Sequence, residues 1–213
     1  MTWTATENFD SYTAPEDLAG KDGGTGWGGA WTNIGAGPDL WTVQVAPSGG
    51  QGGNSAASVN PTTNEVRYER PISSAQTAGK VTWRMRTSAT PDADESMLRL
   101  GDGPATPKLA IQMAANGNIQ ILNNTTWDTI QAFSIDTWYT MEIEFDNPGQ
   151  PNTYRARIDA GSWTDWKTVM GATYTSISHL QINSPVTGGV RTFYIDDIKP
   201  PPSEGFLVIL NQL

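Results

Sequence analysis

The sequence predicts an all-β fold, a two-sheet antiparallel sandwich. Apolar residues recur with period two along most of the chain, Gly (22) and Pro (14) interrupt it at turns, and no stretch has helical spacing. A length of 213 residues suits one large β domain. Nine tryptophans supply bulk for a core that has no cysteine to staple it.

Each segment follows from its pattern. Residues 19–36 contain Gly20, Gly23, Gly24, Gly26, Gly28, Gly29 and Gly35 around Trp27 and Trp31. This reads as a long loop folded over one sheet, with its tryptophans as plugs. A phosphate-cradling loop is excluded, because no Lys follows the glycines in the required pattern and no helix follows at all. A second glycine cluster covers 49–53. Strands are predicted at 39–45, 65–70 and 80–86, the last alternating Val81, Trp83 and Met85 with Thr82, Arg84 and Arg86. Further strands fall at 96–100, 108–113 and 118–122, between turn signals at Pro91-Asp92, Gly101-Asp102-Gly103-Pro104 and Asn116-Gly117. Asn116-Gly117 predicts a two-residue type I′ hairpin, with positive φ at both positions. The longest strand is predicted at 136–146, facing Tyr139, Met141, Ile143 and Phe145 inward, and strands around Tyr154–Ile158, at 177–183 and at 190–199 complete the set. Residues 1–199 thus read as one domain.

Composition removes several function classes. Thirteen basic against 22 acidic residues give a net charge of -9, which opposes nucleic-acid phosphates and anionic membranes. No cysteine means no disulfide, thiolate metal site or thiol catalysis, and a lone His179 excludes a two-histidine metal motif. No run approaches a membrane span. Residues 1–10 lack a basic and an apolar region, so the expectation is synthesis in a cytoplasm without secretory export.

Four segments carry a resemblance. Asn8-Phe9-Asp10-Ser11-Tyr12, the stretch from Gly23 through Trp31, the strand from Trp138 through Asp146, and the closing Phe193-Tyr194-Ile195-Asp196-Asp197-Ile198 resemble the concanavalin A-like (laminin G-like) jelly-roll superfamily. The resemblance implies two stacked antiparallel sheets, one concave, with the first and last strands side by side. Lectins, glucanases, lyases, adhesion modules and viral surface proteins share that architecture, so it leaves function open. It also implies a structural Ca²⁺ between the terminal strands, with Glu7 or Asp10 and Asp196 or Asp197 as ligands.

Catalysis on this frame needs paired carboxylates or a lyase set of Arg or Gln, His and Tyr. Glu142, Glu144 and Asp146 alternate on one strand, a spacing of about 6.6–6.8 Å that suits paired carboxylates. The jelly-roll glucanases order these letters Glu, Asp, Glu; here the order is Glu, Glu, Asp, and the expected role is the polar face of an amphipathic strand. Gln181-Ile182-Asn183 resembles the lyases' Gln-Ile-His segment without its histidine. Arg84 and Arg86 suit neutralisation of a uronate, yet no Tyr/His pair accompanies them. The expectation is that the chain is not an enzyme. For carbohydrate binding, Trp127, Trp163 and Trp166 lie among polar neighbours and are candidate stacking surfaces, with Arg84 and Arg86 as hydroxyl donors; packing over the sandwich end is the alternative for each tryptophan.

Residues 200–213 form a Pro-rich connector and an apolar arm, Phe206-Leu207-Val208-Ile209-Leu210. Five exposed apolar residues are an aggregation hazard, so the arm is expected to dock on another subunit, a second copy or a capsid or tail protein. Together these features predict a non-catalytic lectin-like surface or attachment protein, of decoration or fibre type, on the virion of a tailed phage and possessing a cell-surface glycan as ligand. The alternatives are an extracellular carbohydrate-binding module of a bacterial polysaccharide-processing system, and a lyase or glucanase.

Overall fold

The computed structural model describes residues 3–35, 40–48, 53–59, 66–90, 96–147, 149–184 and 192–201. In chain order its strands are β1 (Glu16–Asp17), β2 (Thr32–Asn33), β3 (Trp41–Val45), β4 (Asn54–Val59), β5 (Val66–Gln76), β6 (Gly79–Thr87), β7 (Ser96–Gly101) and β8 (Pro107–Met113). There follow β9 (Asn118–Asn123), β10 (Thr126–Ala132), β11 (Tyr139–Asn147), β12 (Gln150–Ile158), β13 (Lys167–Thr168), β14 (Ile177–Ser184) and β15 (Thr192–Lys199). All pairings are antiparallel and build two sheets, one ordered β1-β3-β4-β15-β6-β11-β12-β13, the other β10-β9-β8-β7-β14-β5-β2. The two-sheet sandwich is therefore as predicted. No helix among the described residues is long and apolar enough to cross a membrane.

Alternation fixes the layers. Val81, Trp83 and Met85 of β6, Met141, Ile143 and Phe145 of β11, and Tyr154 and Ala156 of β12 meet Leu98, Leu100, Leu109, Ile111, Leu180 and Ile182 of the second sheet in one core. The Tyr154 hydroxyl crosses the sandwich to the carbonyls of Ala110 and Leu122, so this buried phenol has its partners. Besides the two-residue strands β1, β2 and β13, two longer strands were invisible to alternation. β4 reads Asn-Ser-Ala-Ala-Ser-Val, too small and polar to register as a strand, and β10 is a polar edge strand. The hairpin at 114–117 also differs from expectation. Gly117 has φ 79°, whereas Asn116 is not among the positive-φ residues, and Gly117 N donates to Ala114 O. That is a three-residue loop with glycine in the left-handed position rather than a type I′ turn.

The Gly/Trp-rich segment is fastened by one buried cation. Arg70 of β5 pairs with Glu7 at 2.6 Å, donates to the carbonyls of Gly29 (2.9 Å) and Gly23 (2.8 Å), and lies over the Trp27 and Trp31 rings at 4.8 and 5.8 Å. The glycines permit this approach: at Gly24, with φ 73°, an added Cβ would sit 2.1 Å from the Thr6 carbonyl oxygen. Glu7 also bridges Ile198 through paired backbone hydrogen bonds, 2.7 and 2.8 Å, so the two ends of the domain lie side by side.

Candidate carbohydrate-binding site

The outer face of the eight-stranded sheet collects the polar half of each alternating strand. Register places Lys80 opposite Glu144 and Glu144 opposite Arg155; the next polar row is Thr82, Glu142 and Arg157. Arg84 lies between Asp196 and Thr140, and Arg86 lies opposite Tyr194. The carboxylates are ion-paired rather than poised as a free pair. Glu144 meets Arg155 at 2.6 Å and Lys80 at 3.6 Å, and Glu142 Oε2 accepts from Arg157 Nε at 2.7 Å. Glu142 Oε1 is buried and accepts no hydrogen bond.

After β12 the chain turns back over this face through Asp159 and Ala160, at φ 50° and 58°. Thr164 N donates to Ala156 O (2.8 Å), and Thr164 Oγ1 accepts from Ala156 N (3.1 Å), which fixes the returning segment along the edge of β12. Trp163 is thereby set against three cations, with Arg157, Arg155 and Lys80 at 4.5, 4.7 and 5.5 Å from its ring centroid, while Trp166 lies 4.8 Å from Arg155. Such contacts hold an indole in one orientation while leaving it half-exposed.

Beside Trp163 opens a pocket of about 300 Å³, lined by Asp128, Thr129 and Ile130 of β10, by Ser162, Thr164 and Asp165, and by Lys167. Asp128 Oδ2 accepts from Lys167 Nζ at 2.8 Å and from Asn123 Nδ2 at 3.2 Å, and the lysine bond holds its carboxyl below the usual carboxylate range. An aromatic wall, hydroxyls, a carboxylate and an ammonium group in one recess suit a polyol with an apolar face.

The predicted site residues separate into three places. Trp163 and Trp166 are together at this edge. Arg84 and Arg86 lie further along the same face, stacked on Trp138 (5.2 Å) and Tyr194 (5.8 Å), with Arg86 also paired to Asp136 at 2.6 Å. Trp127 does not join them: it is in β10 opposite Leu122, on the outer side of the other sheet. Sequence reading missed Trp138, Asp128 and Lys167, because nothing local says that β10, at the edge of one sheet, meets the 162–167 segment at the edge of the other, or that the start of β11 lies on the face that segment covers. On the other sheet Gln181 lies between Glu69 and Arg99, and Asn183 between Arg67 and Met97, so the lyase-like segment does stand among arginines, with Asn183 where the resembling enzymes carry histidine. His179 meets Ser178 Oγ at 2.9 Å.

Of the expected calcium ligands, Asp10 and Asp197 lie close enough to Asp196 to repel its charge, and Glu7 is engaged separately. Glu7 is neutralised by Arg70 and also accepts from Tyr12 OH (2.6 Å) and Phe9 N (2.9 Å), so the charge that a cation was to supply is already present. Asp10 accepts from Asn54 N (2.7 Å) and Asn8 Nδ2 (3.1 Å), and Asp197 pairs with Lys199 at 2.6 Å. Asp196 is buried with Oδ2 unpartnered, and no group of three metal-ligating side chains occurs among the described residues. The apolar arm Phe206–Leu210 lies outside the described residues.

No protein-family model and no curated protein matches the sequence. Solved structures do match. A sialidase superposes with TM-score 0.63 at 10% identity over 82% of this chain, which spans only 17% of that protein. The β-glucanase of Bacillus licheniformis gives 0.58 at 14% identity, covering 93% of this chain and 98% of the enzyme. A carbohydrate esterase from the Shiga toxin-encoding bacteriophage phi24B gives 0.53 at 15% identity, covering 92% and 98%. The fold is the concanavalin A-like jelly roll, one used by carbohydrate-binding and carbohydrate-processing proteins. These matches overturn the expectation that the chain is not an enzyme. The β-glucanase and the esterase match over nearly their full lengths, so a departure from one glucanase letter order does not exclude an enzyme on this frame.

Proposed function

We propose that the protein recognises carbohydrate through the Trp163 pocket. The observation that carries this is the Trp163 ring, oriented by Arg155, Arg157 and Lys80 at the wall of a recess that also holds Asp128, Thr129, Ser162, Asp165 and Lys167. A sugar ring offers an apolar face to an indole and hydroxyls to an Asp–Lys pair, so both halves of the recess have a counterpart in such a ligand. The test is a glycan array read with the wild type and with Trp163→Ala. Expected is a defined set of bound glycans, lost in Trp163→Ala while the melting temperature stays close to wild type. Retention of the same binding by Trp163→Ala would overturn the proposal.

The wider role we propose is a surface or attachment component of a tailed-phage virion, with protein partners engaged through the C-terminal arm. Its support is the apolar arm behind a Pro-rich connector and the near-full-length likeness to a bacteriophage protein. Immunogold electron microscopy of particles from the source phage checks it, with label on the virion expected and label confined to the soluble lysate as the contrary result.

A further inference from the structure

Resting on the reading that the C-terminal arm engages protein, we propose that its partner is a second copy of this chain, where Phe206–Leu210 adds as a strand to the free edge of β10. Each sheet has two edges, and three of the four end in strands of two residues, β1, β13 and β2. β10 is the fourth edge and runs for seven residues, Thr126–Ala132. Counted from the turn at Asn124-Thr125, the hydrogen-bonded pairs to β9 are Asn123–Thr126 and Ile121–Asp128, so Trp127 and Thr129 turn their backbone N–H and C=O away from the sheet. Those groups have no backbone partner among the described residues, and the strand is exposed or half-exposed throughout. Such an edge is a template for one more strand.

The arm matches what this edge lacks. Five apolar residues in succession read as a strand buried on both faces, not as half of an alternating pattern. The β10 edge offers apolar neighbours on both sides: Trp127, half-exposed on the outer side of the sheet, and Ile130 with Phe133, partly buried against the core. The one charge in β10, Asp128, is already paired to Lys167 at 2.8 Å, and residues 206–210 carry none. Reach selects the second copy. β15 ends at Lys199, four strands in from the β13 side on which β10 lies, a lateral distance of about 19 Å, and the two sheets are about 10 Å apart. The route must turn around the sheet edge, because the core fills the direct line. From Lys199 to Phe206 the Pro-rich connector spans about 22 Å at roughly 3.1 Å per residue. It falls short of β10 in its own chain and projects far enough to reach a neighbour's. Thr129 and Ile130 also line the Trp163 pocket, so a docked arm and a bound sugar exclude one another at this edge.

The chain has no cysteine, so introduced ones can pair only with each other. Full-length Thr129→Cys is mixed with single-cysteine variants at each position from Phe206 to Leu210, and the mixtures are air-oxidised. Expected are disulfides between the two kinds of chain, in preference to either homodimer, with yields alternating along the arm at period two as a strand requires. In wild type the sedimentation mass should rise above that of one chain with concentration, and Val208→Asp should abolish the rise. Equal yields along the arm, Thr129→Cys homodimers, arm-to-arm disulfides, or an intrachain bond in a Thr129→Cys, Val208→Cys double variant would each overturn the docking. So would a chain that stays at single-subunit mass and forms no disulfide. If virion labelling survives Val208→Asp as well, the arm reading falls with it; if labelling is lost, that reading stands and only this docking fails.

Discussion

Arg70 is the residue on which the N-terminal segment depends. It is fully buried, and its guanidinium serves Glu7, two loop carbonyls and two indole rings at once. Removing it strands a buried carboxylate, so Arg70→Met should cost about 3–5 kcal/mol, read as a lower denaturant midpoint at unchanged slope. Glu7→Gln, which retains the acceptors for Tyr12 and Phe9 in part, should cost less. Asp196 is the second singular residue. Burial pushes its carboxyl up to about 7, with repulsion from Asp197 and Asp10 adding to it and the Asp197 amide and Arg84 opposing. An unfolded aspartate titrates near 3.9. Between about pH 4 and 7 the folded chain thus keeps a proton that the unfolded chain has released. The contribution is full below the unfolded value and is lost as pH rises through 7. Melts in chelator from pH 4 to 8 should show wild type losing stability relative to Asp196→Asn over this window. A wild type that gains relative to the variant would contradict it, and a calcium-dependent rise abolished by Asp196→Asn would put a cation there in place of the proton.

At the scale of elements, the segment after β12 decides whether Trp163 is a platform or a loose side chain. Thr164 closes two hydrogen bonds with Ala156, and its loss should free the segment from the edge. Thr164→Val is expected to weaken glycan binding several-fold with a melting loss of only a few degrees; unchanged affinity would mean that Trp163 is held by the arginines alone. Much of this architecture was legible because strands such as β6 and β11 are buried on one face and polar on the other, and period two then dictates which side chains meet. The failures have equally local causes. β4 packs small residues between β3 and β15, where neither size nor alternation marks it, and β10 is a polar edge whose only signal is the turn before it. The pocket was legible only in part. Trp163 stood out by its polar surroundings, but its partners Asp128 and Lys167 come from segments whose adjacency is a product of sheet order, which no spacing along the chain records. Trp127 shared the same signal and belongs to the opposite surface.

On the scale of the whole molecule, the domain presents one polar face with aromatic platforms and ends at Lys199 in a pairing with Thr82. Residues beyond it add no strand among those described. Deleting 203–213 should leave the melting temperature within a few degrees of wild type and lower the mass seen by analytical ultracentrifugation or abolish binding to a virion partner. Unfolding of the truncated chain would instead make the arm part of the core.

The central claim is that sugars meet the Trp163 edge. Its most direct test is the set of indole N–H signals in a ¹H–¹⁵N spectrum, nine tryptophans each reporting on its own surroundings. Titration with a bound oligosaccharide should move the signals of Trp163 and Trp166, assigned by single substitution, and leave those of Trp3, Trp31, Trp41, Trp83 and Trp127 in place. A titration that moves Trp127 and leaves Trp163 still would locate the ligand on the other sheet and contradict the account.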